Sequence, residues 1–297
     1  MSSRPIVSLE FEPPFDVEAA LATLALHAIP GAELPNTTNA EHTRLFPDAD
    51  GPVPVTVAFT PDSVTVTVPA DVCEARVARL TPSIRRWLDL DAHPAAIAAT
   101  LSADRMLAPL VAARPGLRII GSPDGFEGVI TTVLGQQVSL AACRTFAGRL
   151  VSEFGTAGAA GLTAFPTPEV LAAQTPECLQ GAVGLTGARA RTILALAEAC
   201  ADGLSLDPDG DHADVRRRLL AVRGIGAWTA DYIAVRVLGD RNAFAPGDLV
   251  LRRALGGVTA REAEALSLAW SPLRAYALFH LWTATAYLAP AHLASAP

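Results

Sequence analysis

Apolar and polar residues alternate in parts of the first 95 residues, and this pattern predicts a small sheet domain. The runs predicted to be β-strands are Ile6–Glu12, Val53–Phe59 and Ser63–Val68. The last two flank Thr60-Pro61-Asp62 and therefore predict a hairpin. Helical spacing of apolar residues is found instead at Asp16–Ala28 and Asp71–Asp89. The fold class expected for residues 1–95 is α+β, an antiparallel sheet with helices against one face.

From residue 94 onward, apolar residues recur at helical spacing between glycine and proline breaks, which predicts an all-helical body. The predicted helices are Pro94–Leu101, Met106–Ala113, Gly125–Leu134, Leu140–Phe154, Thr167–Ala173, Pro176–Ala182, Gly187–Asp202, Val215–Val222, Trp228–Leu238, one that begins after Asp248, and Ser267–Tyr287 with a break at Ser271-Pro272. The glycine-rich stretch Gly155–Gly161 is predicted to be a flexible connector.

Two of these helices are joined by the short stretch Arg223–Gly226, so that the pattern is helix–hairpin–helix. Gly224 and Gly226 allow a sharp turn, and the free N–H groups of the following helix then form an anion site. Thr229, in the first turn of that helix, could add a hydroxyl. A Gly-x-Gly between helices is often only a C-cap, but three consecutive arginines precede this one. The stretch therefore predicts a hairpin that binds backbone phosphate.

The distribution of charge supports this interpretation, although the whole chain has a formal net charge of −7. Residues 1–110 carry 7 arginines and 14 acids, a net charge of −7. Residues 111–297 carry 16 of each, and residues 216–274 carry 10 arginines and 5 acids, a net charge of +5. The hairpin region is thus locally basic, as contact with phosphate requires.

Composition also excludes several classes of protein. A hydrophobic content of 51% with 18% charged residues indicates a packed globular protein. No apolar run is long enough to cross a membrane, and the first residues do not resemble a signal peptide, so a cytoplasmic, nucleoid-associated protein is expected. The four cysteines lack the spacing of a metal or iron–sulfur site and are interpreted as buried, reduced thiols: Cys73, Cys143, Cys178 and Cys200.

Asp248 is the acid that invites a catalytic hypothesis. It follows Pro246-Gly247 and precedes an apolar-periodic helix, which is ordinary N-cap chemistry. An ionised carboxylate at that place would also stabilise a positively charged sugar during cleavage of an N-glycosidic bond. Trp228 and Tyr232 lie four residues apart and share one helix face. Aromatic residues near a DNA-binding hairpin form either a core or a pocket for an extruded base.

Taken in order, these residues resemble the AlkA-type 3-methyladenine DNA glycosylases of the helix–hairpin–helix superfamily. The matching segments are FEPPFD (11–16), ARPGLR (113–118), VLGQQVS (133–139), FPTP (165–168), RGIGAWTADY (223–232), APGDL (245–249) and RAYALFHLW (274–282). The resemblance implies a TATA-binding-protein-like front domain (1–95) and an all-α glycosylase body of two subdomains. One spans residues 125–240 with the hairpin, and the other combines residues 96–124 and 241–297.

The resemblance also implies a function, a partner and site residues. The enzyme would flip an alkylated base, such as 3-methyladenine or 7-methylguanine, out of duplex DNA and hydrolyse its N-glycosidic bond, as a monomer. Asp248 would be the catalytic carboxylate, and Trp282, Trp228 and Tyr232 would line the base pocket. No cofactor is implied except a structural monovalent cation, sodium or potassium, held by the backbone carbonyls of Leu220, Val222 and Ile225.

Three features of the chain qualify what the resemblance implies. Bifunctional relatives have a lysine at the position of Trp228, whereas all 23 basic residues here are arginine, so that no lysine Schiff base and no lyase activity are expected. Gln137, beside Gln136, stands where the family's wedge fills the gap left by the base. Arg223 replaces a common proline and is expected to contact phosphate.

Two alternatives stay open at this point. The chain could be a non-catalytic DNA-binding protein in which Asp248 is only a cap, or a glycosylase that prefers oxidised or deaminated bases.

Overall fold

A five-stranded antiparallel sheet forms the front of the protein. The computed structural model describes residues 6–288. The strands are β1 (Ile6–Glu10), β2 (Glu33–Asn36), β3 (Glu41–Phe46), β4 (Val53–Phe59) and β5 (Ser63–Thr67), in the spatial order β1-β5-β4-β3-β2. Helices α1 (Val17–His27) and α2 (Glu74–Trp87) pack with them, and the α+β class predicted for this part is confirmed.

Strands β2 and β3 lie in a stretch for which the hydrophobic pattern predicts no element. The reason is that Glu33 of β2 and His42 and Arg44 of β3 are buried. The Glu33 carboxylate accepts a hydrogen bond from His42 Nε2 (2.7 Å) and pairs with Arg44 Nη1 (3.5 Å). Buried charges are tolerated when they are paired, and here they break the alternation from which a strand is recognised.

The helical body contains the remaining helices, which are α3 (Pro94–Leu101), α4 (Leu107–Ala113), α5 (Gly125–Leu134), α6 (Leu140–Phe154), α7 (Pro168–Ala172), α8 (Pro176–Val183), α9 (Gly187–Ala201), α10 (His212–Ala221), α11 (Ala227–Arg236), α12 (Leu249–Ala254), α13 (Ala260–Ser267) and α14 (Arg274–Trp282). All the predicted helices are present, and α14 continues into a π-helical turn, Thr283–Tyr287. Helix α13, which starts with a capping box at Thr259, was not among them because its apolar face is short.

The glycine-rich stretch 155–161 is not the flexible connector that its composition suggests. Thr156–Ala157 (β6) pairs with Thr163–Ala164 (β7) in a small antiparallel sheet. The N–H of Thr163 donates to the carbonyl of Gly31 in the front domain (2.9 Å). These backbone hydrogen bonds fix the segment against the front domain.

Three hydrophobic cores follow the course of the chain. The first lies between the sheet and α2, and the second contains residues from α5 to α11. The third combines residues 92–119 with residues 235–282, so the chain leaves this core and returns to it. The domain boundaries at residues 95, 124 and 240 stay predictions.

A buried ion pair joins the front sheet to the helical body. Arg44 Nη2 donates to Glu127 Oε2 on α5 (2.6 Å), and the guanidinium lies 5.8 Å from the ring centroid of Trp87. Burial raises the pKa of Glu127 to about 7, although Arg44 acts in the opposite direction. Burial also opposes ionisation of Glu33, but Arg44 and His42 lower the pKa of that carboxyl overall. One arginine therefore supports two buried carboxyl groups from different parts of the chain.

The cysteines depart in part from expectation. Cys143 and Cys200 are half-buried, and burial raises the pKa of each thiol to about 11. Cys73 and Cys178 are exposed, so the prediction that all four are buried is wrong for these two. They lie at or near helix N-termini in surface positions, where they complete no core. Between residues 6 and 288, no helix has both the length and the apolar character needed to span a bilayer.

Candidate active site

The predicted hairpin joins α10 to α11. Gly224 has a φ of +100°, and a Cβ added there would lie 2.1 Å from Thr192 Oγ1. The Thr192 hydroxyl donates to the carbonyl of Arg223 (3.0 Å), so only glycine fits at position 224. Gly226 is the N-cap of α11 and is exposed, with no atom within 4 Å of an added Cβ. The first turn of α11 is thus open to an anion.

Arg223 is exposed at the same edge of the hairpin. It forms no ion pair with any residue between 6 and 288, whereas Arg216 and Arg217 nearby pair with Asp231 and Asp214. Its charge is therefore available to a phosphate, as the sequence predicts.

Thr229 and Gln136 form a hydrogen bond with each other. Thr229 is buried, and its Oγ1 accepts a hydrogen bond from Gln136 Nε2 (2.9 Å). The same amide group donates to the carbonyl of Gly224 (3.1 Å). Because a buried hydroxyl needs a partner and Gln136 supplies it, the two side chains are engaged with each other, and the roles predicted for them on DNA, phosphate contact for Thr229 and wedge for Gln136, stay predictions. The two side chains connect the loop before α6 to the hairpin.

Gln137 stands at the apex of that loop. Its side chain is exposed and its φ is +54°, a left-handed conformation that is uncommon for residues other than glycine. Arg189 donates a short hydrogen bond to the carbonyl of the preceding residue and helps to hold the turn. Of the two neighbouring glutamines, Gln137 is the more exposed, and its role as a wedge stays a prediction.

Asp248 is both a helix cap and the centre of a hydrogen-bond network. Its Oδ1 accepts from the N–H of Leu251 at the start of α12 (2.8 Å) and from Trp282 Nε1 (3.0 Å). Its Oδ2 accepts from Trp228 Nε1 (3.1 Å). The side chain is mostly buried, at 9% exposure for the residue. Two indoles and one backbone amide therefore hold the carboxylate in a single orientation.

The predicted pocket aromatics form one cluster around this carboxylate. The ring centroids of Trp228 and Tyr232 are 5.4 Å apart, and those of Tyr232 and Trp282 are 5.6 Å apart. Tyr287, which the pocket prediction omits, lies 6.3 Å from Trp282. Burial raises the pKa of the Tyr232 phenol, so this ring stays neutral. The structure thus brings together residues that are up to 59 positions apart in the sequence.

A cavity of about 360 Å³ opens beside this cluster and lies within the range of small-ligand sites, roughly 300–1,000 Å³. Trp228 and Tyr232 line it, whereas Asp248 and Trp282 stand next to its wall and do not line it. Its lining includes five charged side chains and one histidine from three parts of the chain: His27, Glu33, Arg44, Glu127, Arg144 and Arg236. The pocket is therefore deeper than the aromatic cage that the sequence predicts.

Two of these cavity residues are absent from the sequence prediction for different reasons. Arg236 follows Trp228 and Tyr232 at the same spacing of four residues, and this spacing could have placed it on their helix face. His27 lies on α1, about 200 residues earlier in the chain, and no local pattern relates it to the site.

Two family models match the chain. The model described as the AlkA N-terminal domain matches residues 6–124, and the model described as the HhH-GPD superfamily base excision DNA repair protein matches residues 130–265. Together they cover the front sheet, the hairpin and Asp248.

Relatives and solved structures agree with these models. The chain is 31% identical over 281 residues to DNA-3-methyladenine glycosylase 2 of Escherichia coli, covering 93% of this chain and 96% of that protein. It is 41% identical over 280 residues to a probable bifunctional transcriptional activator/DNA repair enzyme AlkA of Mycobacterium tuberculosis, covering 91% of this chain. The chain spans only about half (55%) of that relative's length. A 3-methyladenine DNA-glycosylase from Archaeoglobus fulgidus has the same fold (TM-score 0.82, 21% identity, 94% and 97% coverage).

Proposed function

The chain belongs to the AlkA-type family of DNA-3-methyladenine glycosylases, in the HhH-GPD superfamily, and we propose that it excises alkylated bases from duplex DNA. The base is flipped into the cavity, and its N-glycosidic bond is hydrolysed to leave an abasic site. The observation that carries the proposal is the Asp248 carboxylate, held by Trp228 and Trp282 beside a cavity next to a DNA-binding hairpin.

In the proposed reaction the C1′–N bond breaks and the base keeps the electron pair. The sugar becomes positively charged, and the Asp248 carboxylate stabilises that charge through space. Water then adds to C1′ and loses a proton, for which Asp248 is the acceptor. Because Trp228 lines the cavity and also donates to Asp248, a base that stacks beside Trp228 brings its sugar towards the carboxylate.

The aromatic cluster supports selectivity for alkylated bases. Trp228 and Tyr232 present electron-rich rings to the cavity, and such rings attract electron-poor or cationic bases. Trp282 does not line the cavity itself; it packs against Tyr232 and donates a hydrogen bond to Asp248, and so helps to hold both in place. Normal bases gain less from this stacking and have stronger glycosidic bonds.

We propose that the hairpin binds the DNA backbone together with a sodium or potassium ion. Among the described residues, and apart from hydrogen bonds within a helix, the carbonyl oxygens of Leu220 and Ile225 accept no backbone hydrogen bond. The carbonyl oxygen of Val222 accepts one, from the N–H of Ile225. Carbonyl oxygens are hard donors that suit such a cation. The bound ion would supply positive charge close to the phosphate, beside Arg223 and Gly226.

The reaction is proposed to be purely hydrolytic and to be carried out by a monomer. A lyase of this superfamily needs an amine that attacks C1′, and the 23 basic residues of the sequence are all arginine. Trp228 occupies the place of that lysine, and Gln137 is proposed to fill the gap in the duplex.

The test is the release of free bases from methylated duplex DNA by the full chain. We expect free 3-methyladenine to appear while the DNA strand stays intact until it is heated in alkali. Absence of any released base would refute the glycosylase proposal and favour a non-catalytic DNA-binding protein. Strand cleavage before alkali treatment would refute the purely hydrolytic mechanism. Duplexes with oxidised guanine, assayed in competition, test the alternative substrate class.

Gly226→Asp should weaken binding to any DNA sequence by about 10- to 100-fold at low salt, because it places a carboxylate next to the phosphate site. The free protein has room for the new side chain, since no atom lies within 4 Å of an added Cβ and the backbone φ is ordinary. The measurement is the affinity for an undamaged duplex as a function of salt.

Gly181→Asp is the matched control for this experiment. Gly181 is an exposed glycine of α8 that also has no atom within 4 Å of an added Cβ, but it is outside the hairpin. It adds the same charge and should change affinity little. If both variants bind alike, the hairpin is not the phosphate contact.

A further inference from the structure

Arg236 is a buried cation that has no hydrogen-bond or ion-pair partner among residues 6–288. It is the last residue of α11, one helical turn after Tyr232, and only 8% of it is exposed. Within residues 6–288 its guanidinium forms no hydrogen bond and no ion pair, and Nη1 is a buried donor with no acceptor. Its nearest described interaction is with the ring of Phe279, 5.6 Å from the centroid. Burying an unpaired charge is unfavourable, so a ligand that pairs with this guanidinium would be stabilised by it.

The acids around the cavity do not neutralise Arg236. Glu33 and Glu127 are both engaged by Arg44, and Glu33 also binds His42. Asp248 is engaged by its two indoles. Among residues 6–288 the charge of Arg236 is therefore uncompensated. Arg236 lines the cavity, and its charge acts on His27 and Tyr232 in the same lining.

His27 lines the same cavity and is a neutral neighbour of Arg236. Burial, and then the charge of Arg236, lower the pKa of His27 to about 3. Its Nδ1 lies 2.8 Å from the carbonyl of Thr23, to which it donates, so that Nε2 is left as an acceptor. Three arginines line the cavity: Arg44 is paired with Glu33 and Glu127, Arg144 donates to the carbonyl of Ala28, and Arg236 has neither kind of partner among residues 6–288. Beyond the rings of Trp228 and Tyr232, the cavity thus offers Arg236 as a cationic donor and His27 as a neutral acceptor.

We propose that Arg236 widens the specificity of the base pocket: it favours neutral bases that leave as anions, and so opposes the preference of the Trp228 and Tyr232 rings for cationic bases. The inference rests on the proposed glycosylase function. When the C1′–N9 bond of a neutral purine breaks, the electron pair stays on the base and negative charge reaches the oxygen at its six-membered ring. That edge lies opposite the sugar and points into the cavity, where the guanidinium donates to it and stabilises the developing charge.

A base alkylated at a ring nitrogen behaves in the opposite way. It is cationic in DNA and leaves as a neutral molecule, so the guanidinium repels it in the bound state and has no anion to stabilise on departure. Deaminated adenine, hypoxanthine, is the simplest neutral lesion with the required oxygen. It is therefore the substrate that should depend on Arg236, and 7-methylguanine is the one that should not.

The test compares wild type with Arg236→Met on two duplexes, one with hypoxanthine and one with 7-methylguanine. The ratio of kcat/KM for hypoxanthine to that for 7-methylguanine should fall by at least about tenfold, and KM for 7-methylguanine should decrease. Loss of folded protein lowers both rates equally and leaves the ratio unchanged. Arg236→Lys, which keeps a charge without the forked geometry, should restore part of the ratio.

An unchanged ratio in Arg236→Met would overturn the proposal and leave Arg236 a packing residue. Wild-type release of 7-methylguanine but not of hypoxanthine would also overturn it, while the glycosylase function would stand. Release of neither base would refute the glycosylase function itself. The outcomes thus distinguish failure of the inference from failure of the function on which it rests.

Discussion

Asp248→Asn should lower the rate of release of 3-methyladenine from methylated duplex DNA by roughly 100- to 1,000-fold. The substitution removes the negative charge that opposes the positive sugar, and an amide cannot accept the proton of the attacking water. It also replaces one acceptor by an NH₂ group that faces an indole N–H of Trp228 or Trp282. The measurement is single-turnover release of the free base, so that DNA affinity does not enter the rate.

The same variant tests whether Asp248 is only a helix cap. Asparagine caps helices about as well as aspartate, so α12 should stay folded and binding to undamaged DNA should persist. Asp211→Asn is the matched control, because Asp211 caps α10 through the N–H groups of Ala213 and Asp214 and lies outside the cavity. It should keep the wild-type rate. Equal release by Asp248→Asn and wild type would exclude a catalytic role for the carboxylate.

Arg44→Met should destabilise the protein by about 3–5 kcal/mol, because it leaves two buried carboxyl groups without their shared cation. Arg44 Nη2 lies 2.6 Å from Glu127 and Nη1 lies 3.5 Å from Glu33. The pKa of Glu127, already raised to about 7 by burial, should rise further once the guanidinium is gone. The effect is measured as a shift of the urea-unfolding midpoint at pH 8, where both carboxyl groups have the strongest tendency to ionise.

Arg79→Met provides the comparison for this loss. Arg79 also lies in the front domain and pairs with Asp48 and Asp50, but its side chain is 47% exposed. Exposed ion pairs contribute little to stability, so the unfolding midpoint should hardly move. If the two variants unfold alike, burial of the Arg44 network does not determine the stability of the protein.

The helices other than α13, and the central hairpin of the front sheet, could be predicted because each is encoded by local spacing. The limits of α3, α5 and α6 agree with the prediction to the residue, since proline, glycine or serine marks their ends. The strands β2 and β3 could not be predicted, because Glu33 and Arg44 point inward and are satisfied by partners elsewhere in the chain. A polar residue in the sequence therefore indicates an exposed position only where no distant part of the chain supplies a partner that allows it to be buried.

The same limit applies to the site. The position of Asp248 as a helix cap could be predicted because capping leaves a local signature, whereas its catalytic role comes from the resemblance and stays a prediction. Gln136 could not be assigned, since its contacts with Gly224 and Thr229 cross about 90 residues of sequence. His27 reaches the cavity only because the front domain packs against the body. Contacts made between cores are a property of the assembled fold and leave no trace in local spacing.

The position of the Arg44 network has a consequence for how this protein could evolve. Glu33, Arg44 and Glu127 line the cavity, and their ion pairs also join the front sheet to the helical body. A mutation that reshapes this part of the cavity for a new lesion therefore also loosens the attachment of a whole domain. Substrate range and thermal stability are therefore linked at these three residues. Substitutions that change lesion preference should accumulate first at Trp228 and Tyr232, which take no part in the Arg44 ion pairs.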